Sequence, residues 1–148
     1  HDIGKIVFAN IHPNLLEKIT AFSKERGIHK DLFEDLSAGL NHAEIGGLIA
    51  EKWNFPDSLV ESIRYHHEPN SCSEEYRDVV YSVYLANAIC NVEEGETTFD
   101  LIDKKPLSLF RISSEEQFNT IQGKLLNAFE KEKQKEEKQK QERQTAER

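Results

Sequence analysis

With 148 residues, 27 Asp and Glu against 19 Lys and Arg, and a net charge of −8, the chain suits one domain with an acidic surface. From Glu130 to Arg148 seven Lys and Arg face six Glu, so that tail is +1 and the remainder −9. An acidic body excludes a groove that tracks nucleic-acid phosphates, which needs clustered Lys and Arg, and leaves room for a small anion neutralised by a metal. Cys72 and Cys90 form no CxxC pair; with no apolar run of about 18 residues and no signal peptide, a reducing cytoplasm without a membrane span is the expected setting.

The chain begins on His1 and contains no Met, so we expect an N-terminally truncated fragment, cut in front of a motif that belongs within a helix. His1 to Asn10 reads as the end of an apolar helix. Pro13 starts a second, with Leu15, Leu16, Ile19 and Phe22 on one stripe and Gly27 at its end. Asp31 to Ala38 reads as a short amphipathic helix. Asn41, with Glu44 three residues on, predicts a capped helix running to about Trp53. Pro56 falls in the first turn of the next helix, expected to stop at Glu68-Pro69. Glu74 to Val92 is expected to be the longest core helix, and EEGETTFDLIDKK a polar connector. Ser113 or Ser114 then caps a last helix with Phe118, Ile121, Leu125 and Phe129 in step. No segment alternates like a strand, and there is no internal repeat. EKEKQKEEKQKQERQ has good helix formers but no apolar seam, and reads as a solvated helical extension or a disordered tail, or else as a linker or partner handle. The expected organisation is thus an all-α helical domain over residues 1–129 and a charged low-complexity tail over 130–148.

Histidines carry the chemical signal. On a wheel of about 100° per residue, His66 and His67 of PDSLVESIRYHH fall on the same side as Leu59, Val60 and Ile63. Two adjacent imidazoles on an apolar face need several partners in a dry place, and metal ions would supply them. His42, Gly46, Ile49 and Trp53 share a face of the preceding helix. His42 lies in its first turn, where the helix dipole favours the neutral ring that metals require. Gly46 leaves space beside that imidazole or allows tight helix packing, and the two readings are compatible. His1 and Asp2 add an imidazole and a carboxylate. Mixed imidazole and carboxylate ligands without thiolates suit Fe, Mn, Zn or Ni, and such a site could lower the pKa of a bound water and aim it at a phosphorus. His12 and His29, beside Pro13 and Gly27 in predicted junctions, read as surface or capping residues.

The ordered set HDIGK, HAEIGGLIAEKWNFP, IRYHHEP and VYLANAI resembles the HD superfamily of metal-dependent phosphohydrolases, and most closely its HDOD branch, the HD-related output domains of bacterial signalling proteins. The resemblance covers about residues 1–129. It implies an all-α bundle of the HD type, a regulatory rather than catalytic role, and signalling proteins or an adjacent signalling domain as partners; the acidic body argues against nucleic acid. It also implies His1, Asp2, His42, His66 and His67 as metal residues, with a further acidic ligand in VYLANAI. There this chain has Asn87. The wheel places Asn87 with Val79, Val83, Ala86 and Cys90 on one apolar face. An amide is a weaker ligand than a carboxylate and cannot act as a base. HHEPNSCSEEY lacks the GYP triplet of the cyclic-di-GMP hydrolase branch. The leading expectation is a non-catalytic bacterial signal-transduction domain with a vestigial or retained metal site. The alternative is a metal-dependent phosphohydrolase acting on a nucleotide or cyclic dinucleotide, in which Asp2 with the histidines holds the metal and Lys5 meets the phosphate. Lys5 reads equally well as a solvated or ion-paired side chain.

Overall fold

The computed structural model describes residues 1–6 and 41–146. The helices expected from Pro13 and over Asp31 to Ala38, with His12 and His29, lie outside the described residues. Within them the chain is all-α, with no strand: α1 (His42–Lys52), α2 (Asp57–Arg64), α3 (Arg77–Glu93), α4 (Lys104–Leu109) and α5 (Glu115–Ala146), with 3-10 turns at Pro69–Ser71 and Phe99–Leu101. Residues 3–6 are also helical. Two compact units result, His1–Leu109 and Phe110–Arg148.

The start of α1 follows its sequence closely. The Asn41 side chain accepts the Glu44 N–H at 2.9 Å, satisfying a donor that the first turn leaves free. The helix ends at Lys52, and Asn54, at φ 55°, turns the chain in the left-handed region, which Asn tolerates better than most residues. Pro56 stands at the N-cap of α2 rather than inside its first turn. α1 and α2 pack closely because α1 is small where they meet: a Cβ on Gly46 would come within 2.7 Å of Ile63 Cγ2, and one on Gly47 within 2.9 Å of Arg64 Nε. Gly46 thus allows tight helix packing, a reading compatible with its leaving space beside His42. Arg64 crosses Gly47 to meet Glu51 at 3.0 Å. Trp53, expected on the inward face with His42, is 58% exposed, because the helix has ended before it.

Three expectations need correction. α2 ends at Arg64 and not at Glu68-Pro69, since His66 Nδ1 lies 2.7 Å from the Ile63 carbonyl, the acceptor that a continuing helix would offer to the His67 N–H. The connector expected between residues 93 and 105 holds the second 3-10 turn, the buried Ile102 and the start of α4. Asp103 begins that helix by accepting the Lys105 N–H at 3.0 Å. Finally, α3 buries Val80, Tyr81, Leu85, Ala88 and Ile89, whereas Val79, Ala86 and Cys90 are exposed and Asn87 is half-buried. Turning Tyr81 inward with Leu85 and Ile89 removes more apolar area from water than the smaller side chains of the expected face could.

The core of the first unit is Ala43, Ala50, Val60, the α3 stripe, Ile102 and Leu107. Polar ties fix the loops onto α3. The Tyr81 hydroxyl donates to Asn70 at 3.0 Å, the Asp103 N–H donates to the Tyr84 hydroxyl at 2.8 Å, and Asn70 donates to the Asp103 carboxylate. Glu61 on α2 accepts both the backbone N–H and the hydroxyl of Ser73, at 2.8 and 3.1 Å. The segment after His67 is therefore held from both neighbouring helices.

In the second unit, α5 is the longest described helix, with 32 residues. Ser114 receives the Gln117 N–H at 3.3 Å, and Gln117 in turn accepts from the Ser113 backbone and hydroxyl, a reciprocal cap. Of the expected apolar row, Phe118 is buried, Ile121 is half-buried, and Leu125 and Phe129 are 52% and 68% exposed.

Candidate metal centre

Three of the five residues expected to hold metal come from two short segments that carry imidazoles to one point. His42 enters from the first turn of α1 and is fully buried. His66 and His67 leave α2 where it ends, so the break in the helix, and not a shared helical face, brings adjacent side chains to the same place. His42 Nε2 lies 3.2 Å from His66 Nε2 and 3.0 Å from His67 Nε2. Asp2 approaches from the N-terminal turn, its Oδ1 3.4 Å from His42 Nε2 and 3.6 Å from His66 Nε2. His1, at the exposed rim, stands edge-on to His66 with ring centres 4.7 Å apart and reaches Asp2 Oδ2 at 3.4 Å.

The protonation logic is unusual for a packed interior. A carbonyl only accepts, so His66 Nδ1 carries the proton that faces Ile63. Burial above all, with the adjoining His67 ring, pushes His66 down to about 3, against the opposing pull of the Ile63 carbonyl. The ring is therefore neutral at ordinary pH and its Nε2 presents a bare lone pair. That lone pair, His67 Nε2 and Asp2 Oδ1 converge on His42 Nε2, which has at most one proton to share. Burial alone would raise the Asp2 carboxyl, but its contacts with His42 and Lys5 outweigh this and hold it well below the usual carboxylate range. Even so, Asp2 Oδ1 is buried without a hydrogen-bond partner. An orphaned carboxylate oxygen among imidazole lone pairs carries a substantial desolvation cost, and a cation at their centre would relieve it. The donor set fits a metal: His42, His66 and His67 form one group, and His1, Asp2 and His66 another, each with ligand atoms within 4.8 Å of one another.

Lys5 is ion-paired, its Nζ 3.1 Å from Asp2 Oδ2. On the far side, a cleft of about 430 Å³ opens on His67, between Asn70, Tyr84 and Leu101. Among the described residues its lining includes Glu68 and Asp103 but no Lys or Arg, so none of these offers an anion a counter-charge there. Sequence reasoning missed this cleft. Its walls depend on the 3-10 turns and on Tyr84, none of which advertised itself as part of a site. No His, Cys, Asp or Glu of α3 joins the ligand groups among the described residues.

An all-α fold with this His-rich cluster defines an HD-type domain that could bind a metal ion. The match is more specific than that: the HDOD domain model matches residues 1–69, and over those residues the chain is similar to the HDOD family. It is also 36% identical over 132 residues to an uncharacterized protein of Treponema pallidum (strain Nichols), an alignment that covers 89% of this chain and 26% of the relative. The chain thus spans about a quarter of the length of the curated relative it matches. No solved structure matches it. Among the described residues, no helix is long and apolar enough to cross a membrane.

Proposed function

We propose that this chain is a regulatory output domain of a bacterial signalling protein, organised around a retained divalent-metal centre and not itself a hydrolase. The observation that carries the centre is the convergence of three imidazoles on one point beside an orphaned carboxylate oxygen. Asp2, His42, His66 and His67 would hold the ion, with His1 at the rim. Imidazole-rich sets favour Zn, Ni or Fe over Mg or Ca, and Mn is the weaker binder of the four metals considered. A bound ion would supply Lewis acidity and a more acidic water.

The chain's own residues support use of the site for structure and regulation. Among the described residues Asp2 is the one carboxylate in the cluster, with Oδ2 engaged by Lys5 and Oδ1 turned toward the buried imidazoles. It is therefore poorly placed to take a proton from water. Among the described residues the neighbouring cleft brings two acidic side chains and no cation against an incoming phosphate. The phosphohydrolase reading draws on a different feature: Lys5 stands beside Asp2, and if released it could meet a substrate phosphate near the ion. Signalling partners would then read the state of the cluster by protein contact in a reducing cytoplasm, where Cys72 and Cys90 remain thiols.

The test is metal analysis of the purified chain beside its His42→Ala variant, followed by phosphate release from a panel of nucleotides and cyclic dinucleotides. Bound Zn, Ni, Fe or Mn that is lost in His42→Ala, with no turnover, is expected. Turnover that vanishes in His42→Ala would replace this reading with the hydrolase. A protein that stays metal-free after loading would remove the centre altogether. For the regulatory role, deletion of the domain should alter an output of its host protein, and an unchanged output would count against it.

A further inference from the structure

The N-terminal turn touches α1 at a point where no side chain fits. Gly4 is buried, and a Cβ placed on it would stand 1.8 Å from the carbonyl oxygen of His42 and 2.9 Å from the Gly46 nitrogen. Both obstacles are backbone, and the first belongs to a residue of the imidazole cluster. The turn that carries Gly4 also carries Asp2, and it is closed by the Lys5 N–H donating to the Asp2 carbonyl at 2.9 Å. The approach of Gly4 to the His42 backbone therefore sets the distance at which the Asp2 carboxylate meets the His42 ring, 3.4 Å in the fold. Gly46 faces the same crossing from α1, with its own Cβ position 3.3 Å from the Gly4 nitrogen.

From this geometry we infer that Gly4 is a positioning residue of the metal centre: its missing side chain seats the Asp2 turn on His42 and so joins the carboxylate to the three imidazoles. The inference rests on the metal reading above. Restoring ordinary van der Waals separation for a methyl group at position 4 requires the two backbones to part by about 1.5 Å. Ligand distances in metal sites hold to within about 0.2 Å, so such a shift removes Asp2 from the set and leaves the imidazoles in place. Gly47 supplies the contrast. Its added Cβ would meet only the Arg64 side chain, so that glycine serves packing without touching the site.

The experiment is Co²⁺ and Zn²⁺ titration of the whole chain and of Gly4→Ala, Gly46→Ala, Asp2→Ala and the Gly4→Ala/Asp2→Ala pair, with the melting of each chelator-treated protein recorded in parallel. Gly4→Ala is expected to weaken metal binding about 10- to 100-fold, as Asp2→Ala does. The double variant should be no weaker than either single one, because both remove the same ligand. Gly46→Ala, pressing on the same crossing more gently, keeps the test alive if Gly4→Ala fails to fold, and should show a smaller loss of the same kind. Gly47→Ala should lower the apo melting temperature and leave metal affinity unchanged. Wild-type affinity in Gly4→Ala or in a folded Gly46→Ala, or losses that multiply in the double variant, would overturn the role of Gly4 while the centre stands. A wild-type chain that takes up neither ion overturns the centre and the inference together.

Discussion

The α1–α2 pair and α3 both carry polar residues singled out by their helical phase, and they treat those residues differently. In α1 and α2 the backbone is pinned locally: Asn41 caps one helix, Gly46 and Gly47 fit against Ile63 and Arg64, and the Ile63 carbonyl takes a side-chain partner as the second helix ends. In α3, among the described residues, no side-chain cap or glycine contact of this kind is present, and Tyr81 and Tyr84 tie it to the loops. The helix turns to bury its largest apolar area, and Asn87 ends half-buried beside the stripe of Leu85, Ala88 and Ile89. Polar side chains are placed reliably where the backbone around them is specified, and poorly where only the apolar phase speaks.

The largest break in that comparison comes from His66→Ala. The change removes a lone pair common to both ligand groups and empties a fully buried site. Metal affinity is expected to fall by more than about 100-fold, compared with the 10- to 100-fold typical of residues that only support a ligand. Equilibrium dialysis against Zn²⁺ checks it, and retention of a stoichiometric ion would show that His42 and His67 suffice.

Acid should act next. His66 is depressed in the fold to about 3 from 6.5, so the unfolded chain binds its proton first. The contribution of the neutral ring is complete above pH 6.5 and is lost as the pH falls from there toward 3. Asp2, also depressed, adds a loss of the same sign below its unfolded value of 3.8. Urea unfolding of the metal-free chain should therefore give a few kcal/mol less stability at pH 4 than at pH 7. A flat profile would mean that the imidazoles are solvated in the metal-free fold.

Much of this was legible in the residues. The all-α class and the cap at Asn41 follow from spacing and composition, and the gathering of His42, His66 and His67 is what the family resemblance implies. The route by which His66 and His67 meet was not legible. A wheel assumes the helix continues, and nothing in IRYHHEP announces that an imidazole will take the Ile63 carbonyl. The row Phe118, Ile121, Leu125 and Phe129 was read correctly as periodic, but periodicity does not supply a covering surface, and Leu125 and Phe129 remain exposed. The cleft beside His67 was hidden because its walls are tertiary.

Smaller effects separate pinned from unpinned helices more finely. Asn41→Ala removes the acceptor for the Glu44 N–H and should cost about 1 kcal/mol. Tyr84→Phe leaves the Asp103 N–H without its partner and should cost about 1 kcal/mol as well. Both are read from denaturant midpoints at constant m-value. A loss near zero for Asn41→Ala would show that α1 is held by packing alone, and that its local signals were incidental.

The smallest expected change bears most directly on α3. Asn87→Asp places a carboxylate where the resemblance to catalytic HD proteins calls for one. The position is half-buried and lies off the buried stripe, so its stability should move by no more than about 0.5 kcal/mol. No phosphate release from nucleotides or cyclic dinucleotides should appear. The reason lies in the rest of the cluster: Asp2 is committed to Lys5 and to buried imidazoles, and among the described residues the cleft at His67 still carries Glu68 and Asp103 without a cation. One added carboxylate corrects neither feature. Should turnover appear and depend on His42, the contrast between the two regions would reverse. α3 would then be aimed at the centre after all, and the chain would be a hydrolase held one side chain short of activity.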